Sequence, residues 1–215
     1  MDGFTVTILA FDGVDELDVV GPFEVFARVA QQRPGVDVRI AAVGGERELV
    51  GAYGLRFGTD GPLEEFPDLL FIPGGGWVAK STRGVRAEIA RGDLPRLIAK
   101  AHESRARIAS VCTGAMAVAA SGILENRPAT THRGAMGDLR SAGATIVDAH
   151  VVDDHTISSS GGVTHGIDLA LWLVERFFGN ELAESIATTL EYQRTSSIWV
   201  STETVAEMET ATRRR

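Results

Sequence analysis

The chain has 215 residues, 44% of them hydrophobic, and a formal net charge of -8. That length fits one domain, and the acidic surplus argues against a nucleic-acid surface, which relies on clustered Lys and Arg. Its single cysteine, Cys112, excludes an internal disulfide and a thiolate zinc site within one chain.

No stretch is long and apolar enough to span a membrane. The opening Met1-Asp2-Gly3-Phe4 lacks a basic segment followed by an apolar core, so a cytoplasmic protein is expected. The terminal Arg213-Arg214-Arg215 reads as a short solvated basic end.

Residues 4–11 alternate β-formers and read as a strand, closed by a turn at Asp12-Gly13. The spacing of Val19, Phe23, Phe26 and Ala30 predicts a helix over 17–29, interrupted early by Gly21-Pro22. Residues 36–43 form a second strand, and 49–59 a hairpin around Gly51 and Gly54. The continuous apolar run 68–73 fits a central parallel strand covered on both faces, and it ends in Gly74-Gly75-Gly76.

A helix over 94–104 precedes a strand over 107–111, and a small-residue helix starts at once after Cys112. A brief strand (129–132), a helix (134–141) and a strand (145–148) follow. Residues 151–152 and 156–158 can pair across Asp153-Asp154. Two helices close the pattern, one over 164–177 and one from Asn180 or Glu181 to about Tyr192. Strands alternating with helices imply an α/β fold with a doubly wound, mostly parallel sheet flanked by helices. The pattern assigns one domain to 1–193 and leaves the structure of the tail, 194–215, open. In such sheets ligands bind beyond the carboxyl ends of the strands, where Gly74–Gly76 and Cys112 both fall.

The abrupt strand-to-helix turn at Ser110-Val111-Cys112-Thr113-Gly114 has the form of a nucleophile elbow, with sulfur in place of a serine oxygen. A lone cysteine is more commonly a buried structural residue. A helix N-terminus beside the sulfur favours the thiolate. The glycine run can expose backbone N–H groups, which with that of Thr113 would form an oxyanion-type pocket. Its spacing is wrong for a phosphate-binding P-loop.

Asp15, Glu16 and Asp18 lie just past the first strand. Each can be a solvated acid at a helix start. Asp18 stands out among apolar neighbours (Leu17, Val19, Val20), where burial would raise its pKa and make it a proton partner for sulfur. His132 and His165 are candidate bases for a Cys–His pair, although spacing alone does not place either near Cys112.

Taken together, these residues resemble the ThiJ/PfpI superfamily, and within it the isonitrile hydratases. The carriers span 4–193: Leu17-Asp18-Val-Val-Gly21-Pro22-Phe-Glu24-Val, Ile72-Pro73-Gly74-Gly75-Gly76, Ser110-Val111-Cys112-Thr113-Gly114-Ala115, Ala129-Thr130-Thr131-His132, and Ser160-Gly161-Gly162-Val163-Thr164-His165-Gly166-Ile167-Asp168. The resemblance implies a flavodoxin-like, class I glutamine-amidotransferase-like fold with a cysteine nucleophile. It implies a homodimer that needs no metal or organic cofactor and acts on a small electrophilic molecule.

It also implies that Asp18 and Thr113 join Cys112 in the catalytic cluster. It places Gly75 in the pocket lining and His132 near the site but not as the base of a strict triad, so that the expected substrate or oxyanion pocket comprises Gly74, Gly75, Gly76, His132, Gly162 and His165. Two positions depart from the family pattern: Arg133 stands where an aromatic residue is usual, and His165 where a small one is. The same branch includes sensor domains of AraC-type regulators, but the tail is too short for a DNA-binding module. The other activities that the family implies are a glyoxalase- or deglycase-like reaction on small carbonyls, a cysteine redox sensor and a peptidase.

Overall fold

In a computed structural model, residues 3–194 and 197–213 are described. Met1, Asp2 and the Arg214 and Arg215 of the basic end lie outside them. The chain runs β1 (Phe4–Ala10), α1 (Glu16–Gln32), β2 (Val36–Ala42), β3 (Glu48–Val50), β4 (Arg56–Gly58), β5 (Leu69–Ile72), α2 (Val85–Arg91), α3 (Asp93–Glu103), β6 (Arg107–Ser110) and α4 (Gly114–Ala120). It continues with β7 (Pro128–Ala129), a 3₁₀ turn (Arg133–Ala135), α5 (Met136–Ser141), β8 (Thr145–Ile146), β9 (Val151–Asp154), β10 (Ile157–Ser160), α6 (His165–Phe178), α7 (Asn180–Thr189), β11 (Ile198–Val200) and α8 (Thr202–Arg213).

Seven strands form the main sheet in the order β11-β9-β10-β6-β5-β1-β2. The pairs from β2 through β10 are parallel, and β9 runs antiparallel to β10. The chain leaves β1 outward to β2 and then returns to β5 on the other side of β1. This reversal opens a crevice at the carboxyl ends of β1 and β5, the place where open α/β sheets bind ligands. β5 is buried along its whole length, as its unbroken apolar run requires. Helices α1, α6 and α7 pack together as one group, and α2, α3 and α4 as another.

Four features differ from the sequence expectation. The first helix is not interrupted: α1 runs through Pro22, which is buried in it. Proline there withholds one N–H, the one that would have bonded the Asp18 carbonyl a turn earlier. The brief strand expected over 129–132 is only Pro128–Ala129, paired with β8 outside the main sheet. The short helix α2 was not expected, since its exposed sequence buries only Val85 and Glu88. Finally, the tail is structured: β11 extends the main sheet by pairing with β9, and α8 packs against β9.

The start of α4 lies hard against the end of β5. A Cβ at Gly114 would stand 2.2 Å from the Ile72 carbonyl oxygen and 2.8 Å from that of Pro73. Both are backbone atoms, at the last residue of a central strand and the one after it, and cannot step aside. Gly114→Ala is therefore expected to cost about 1–3 kcal/mol, the usual range for overpacking. Urea denaturation measures it, and an unchanged midpoint would refute the close approach.

Candidate active site

Three loops meet at the carboxyl ends of β1, β5 and β6. β1 leads into the start of α1, where Asp15 is the N-cap and accepts from the Leu17 N–H at 3.3 Å. One turn later Asp18 points inward and is fully buried. The glycine run after β5 grips this turn through Gly74. Its carbonyl accepts from the Asp15 N–H at 2.9 Å, and its N–H donates to Asp18 Oδ2 at 2.9 Å.

Gly75 donates to Thr113 Oγ1 at 3.0 Å. The donors of Gly74 and Gly75 are therefore committed to holding Asp18 and Thr113, and the oxyanion pocket expected from them is not available to a ligand at these two N–H groups. Glycine is required at Gly74, because a Cβ there would lie 2.6 Å from the Thr113 nitrogen and 3.0 Å from Asp18 Oδ2.

β6 ends at Ser110, and Cys112, two residues on, sits at φ +55°. That is the left-handed region, strained for a residue with a Cβ, and it is the conformation an elbow imposes. Both sides of this residue are anchored. Its N–H donates to the Gly161 carbonyl at 2.8 Å, and its carbonyl accepts from the Thr131 hydroxyl at 2.7 Å. Val163, two residues beyond Gly161, is held at φ +25°, which a β-branched side chain avoids.

The groups acting most strongly on the sulfur are Asp18, Asp15 and the backbone N–H groups of Val163 and Thr113. Burial, followed by the Asp18 charge, pushes the Cys112 thiol up to about 12, and the Val163 and Thr113 N–H groups pull the other way. This corrects the expectation of a thiol acidified by a helix start. Helix α4 is only seven residues long, and the enclosure of the sulfur outweighs its dipole.

Asp18 is also raised well above the ordinary carboxyl range, by burial first and then by the nearby Asp15. The Gly74 N–H and the Cys112 thiol partly offset this. Asp18 Oδ1 is buried without a hydrogen-bond partner, and the thiol is a group within its field. Asp15, itself nearly buried, is raised by its burial. Two carboxyls and a thiol thus share one enclosed space, where none readily bears a charge beside the others.

Alkylation of Cys112 by iodoacetamide is expected to be slow at neutral pH, with a midpoint above the roughly 8.5 of a free thiol. In Asp18→Asn the midpoint is expected to move down, because a negative neighbour has been removed. A midpoint below 7, or one indifferent to Asp18→Asn, would show that this acid does not control the sulfur.

His132 and His165 are placed differently from a Cys–His pair. His132 Nδ1 accepts from the Gly134 N–H at 3.0 Å, which puts the proton of the neutral ring on Nε2. Its ring lies over Gly162, where a Cβ would meet Cδ2 at 2.9 Å. His165 stacks on His150 with ring centroids 4.0 Å apart. Arg133 is exposed. Sequence reasoning missed three contributors: Asp15 as a buried acid, the Thr131 hydroxyl, and the Val163 N–H. The Gly161-Gly162 pair was the available signal for the last.

Beside the cluster is an open cavity of about 450 Å³ lined by Asp15, Glu16, Leu17, Tyr53, Leu55 and Val163. Glu16 accepts from the Tyr53 N–H at 2.8 Å and from the Leu55 N–H at 3.2 Å, which fixes the β3–β4 hairpin over the start of α1.

Comparison with known proteins agrees with this architecture. The chain is 31% identical over 192 residues to the isonitrile hydratase of Pseudomonas putida, covering 87% of this chain and 78% of that protein. A deglycase of Thermococcus kodakarensis is 28% identical over 174 residues, covering 79% of this chain and 95% of that one. The crystal structure of a ThiJ/PfpI family protein from Pseudomonas syringae superposes with a TM-score of 0.78 at 25% identity, covering 91% of this chain and 77% of that chain. Among the described residues no helix is long and apolar enough to cross a membrane. The DJ-1/PfpI family model matches residues 4–176, which contain the sheet crevice, the elbow and the buried acid, and the chain belongs to the DJ-1/PfpI family.

Proposed function

We propose that this protein adds water to an isonitrile, giving an N-substituted formamide, with Cys112 as nucleophile and Asp18 as the proton carrier. The observation that carries this reading is the pairing of a strained, buried thiol with a buried carboxyl whose pKa is raised, while His132 Nδ1 is engaged by the Gly134 N–H and His165 is stacked on His150. An isonitrile needs both a proton and a nucleophile at one carbon. A neutral acid beside a neutral thiol supplies them together, where a peptidase would need a basic histidine.

In the first step Asp18 gives its proton to the terminal isonitrile carbon while the sulfur attacks that carbon. The thiol proton passes to the vacated carboxylate, and a thioimidate is left on Cys112. In the second step Asp18 protonates the imine nitrogen and then, as carboxylate, takes a proton from the attacking water. The tetrahedral adduct collapses: the hydroxyl proton moves through Asp18 to the departing sulfur, and the formamide leaves. The N–H groups of Val163 and Thr113 face the sulfur and are positioned to steady it as it departs.

The open, largely apolar cavity lined by Leu17, Tyr53, Leu55 and Val163 suits the substituent of a small isonitrile. Similarity to a deglycase favours the same thiol acting on small carbonyls as the competing reading. The redox-sensor reading is weakened by burial of the sulfur, since oxidation follows thiolate character and exposure.

The test is turnover of cyclohexyl isonitrile set against methylglyoxal, with mass spectrometry of the protein during turnover. Formamide production with a covalent adduct on Cys112, absent in Cys112→Ala, is expected. Consumption of methylglyoxal alone, or labelling elsewhere in the chain, would reject the hydratase.

A further inference from the structure

On the far side of the Gly161–Gly162 loop is a second group of side chains that the proposed chemistry does not use. His150 lies in the turn before β9, His165 opens α6, and Asp168 follows one turn later on the same helix. One ligand atom from each lies within 4.8 Å of the other two. His150 Nδ1 stands 4.0 Å from Asp168 Oδ2. Spacing of three residues puts His165 and Asp168 on one helix face.

We infer that His150, His165 and Asp168 form a binding site for a divalent transition-metal ion of the zinc class. Two imidazoles and one carboxylate are the donor set such ions favour, and three protein ligands leave a coordination position for solvent. With metal–ligand bonds of about 2.0–2.2 Å, ligands around a tetrahedral ion stand roughly 3.3 Å apart. The group is thus slightly too wide as it stands, and His150 is the arm that closes it, because its side chain is 47% exposed. Asp168 is buried and the His165 ring is held by packing.

Two further observations support the site. His165 Nδ1 is buried beside Gly161 without a hydrogen-bond partner, a polar atom of the cluster that the protein itself leaves unsatisfied. The Tyr192 hydroxyl is hydrogen-bonded to Asp168, as outer partners of ligating carboxylates commonly are. The His150 and His165 rings are stacked, with centroids 4.0 Å apart and planes 20° from parallel, so their in-plane lone pairs converge on one ion only when the half-exposed His150 swings out of the stack.

Position gives the ion a role. The Gly161 N–H donates to the His150 carbonyl at 3.0 Å, and the Gly161 carbonyl receives the Cys112 N–H. An ion bridging His150 to α6 would brace the strand end on which the elbow rests.

The test is titration of the full chain carrying Cys112→Ser with Zn²⁺ by calorimetry and with Co²⁺ by visible absorption, alongside His150→Ala, His165→Ala and Tyr192→Phe variants in the same background. One ion per chain is expected, with a higher Tm and d–d bands of a nitrogen–oxygen site. Binding should be lost in both histidine variants and weakened about 10-fold or more in Tyr192→Phe. His150 is half-exposed, so its removal leaves the fold intact and the readout interpretable. The site would be overturned by absence of binding in the parent, or by histidine variants that bind as the parent does. It would equally be overturned if Co²⁺ bound the unsubstituted chain only through a sulfur charge-transfer band that Cys112→Ser removes.

Discussion

Asp18→Asn is expected to lower isonitrile turnover by about 10²–10⁴-fold, the share that a positioned acid–base group typically contributes. Asparagine keeps an oxygen for the Gly74 N–H and fills the same space, so only the proton is lost. Stability is expected to move the other way. Asp18 is raised above its reference of 3.8 by burial and by Asp15, so the folded chain holds its proton more tightly than the unfolded chain. A carboxyl of this kind contributes stability that is full below the unfolded value and is lost as pH rises through the folded one.

At neutral pH, then, Asp18 is a cost carried for function, and removing it should raise stability by about 0.5–2 kcal/mol. The stability of Asp18→Asn should also fall less steeply above pH 4, with Asp15 supplying the remaining slope. Kinetics and thermal melts across pH 4–8 decide the matter. Turnover within 10-fold of the parent would sink the assignment of Asp18 as proton carrier. A lower Tm would instead mean that the carboxyl is held by more than Gly74.

Arg176→Met is expected to destabilise the fold by about 3–5 kcal/mol, the cost of leaving a buried charge without its partner. Asp153 on β9 is fully buried, and Arg176 on α6 is its counter-charge, donating to Oδ1 at 2.8 Å and to Oδ2 at 3.0 Å. The carboxylate also accepts from Trp172 Nε1 at 2.8 Å and from the Ser158 hydroxyl at 3.1 Å. Arg176 reaches on to the His155 carbonyl and to Glu207 of α8, which Arg107 also holds.

One guanidinium therefore ties the sheet to α6 and to the C-terminal helix. Burial raises the Asp153 carboxyl, and Arg176 with its hydrogen bonds pulls it back. With Arg176 gone the carboxyl rises further. The deficit should be smaller at pH 5 than at pH 8, because the protonated acid tolerates burial. Urea denaturation at both pH values measures this. A deficit under 1 kcal/mol, or one independent of pH, would show that Asp153 is not the charge being paired. A second substitution, Asp153→Asn, should recover part of the loss, since both charges are then absent.

Much of this architecture is legible in the residues themselves. The apolar runs at β1 and β5 and the periodic apolar faces of α1 and α6 follow from local pattern, because burial on a sheet or helix face imposes its own spacing. The Gly74–Gly76 run and the turn at Cys112 were also visible. Small residues and an abrupt change of pattern mark a tight strand-to-helix turn wherever they occur.

What the sequence could not decide depends on partners distant along the chain. The three residues of β11 carry little pattern and become a strand only because β9 offers an edge to them. Pro22 reads as a break, yet the burial of α1 against α6 carries the helix through it. At Gly74 and Gly75 the residues indicated free donors, and the fold spends both on Asp18 and Thr113.

The thiol is the sharpest case. Its immediate neighbours, a helix start and small residues, point to an acidified sulfur. Enclosure by the sheet and the approach of Asp18 from α1 reverse the sign. Local sequence determined which residue would stand at the elbow. Only the tertiary structure decided its charge, because desolvation and the field of a neighbouring acid are properties of the packed space and not of the segment.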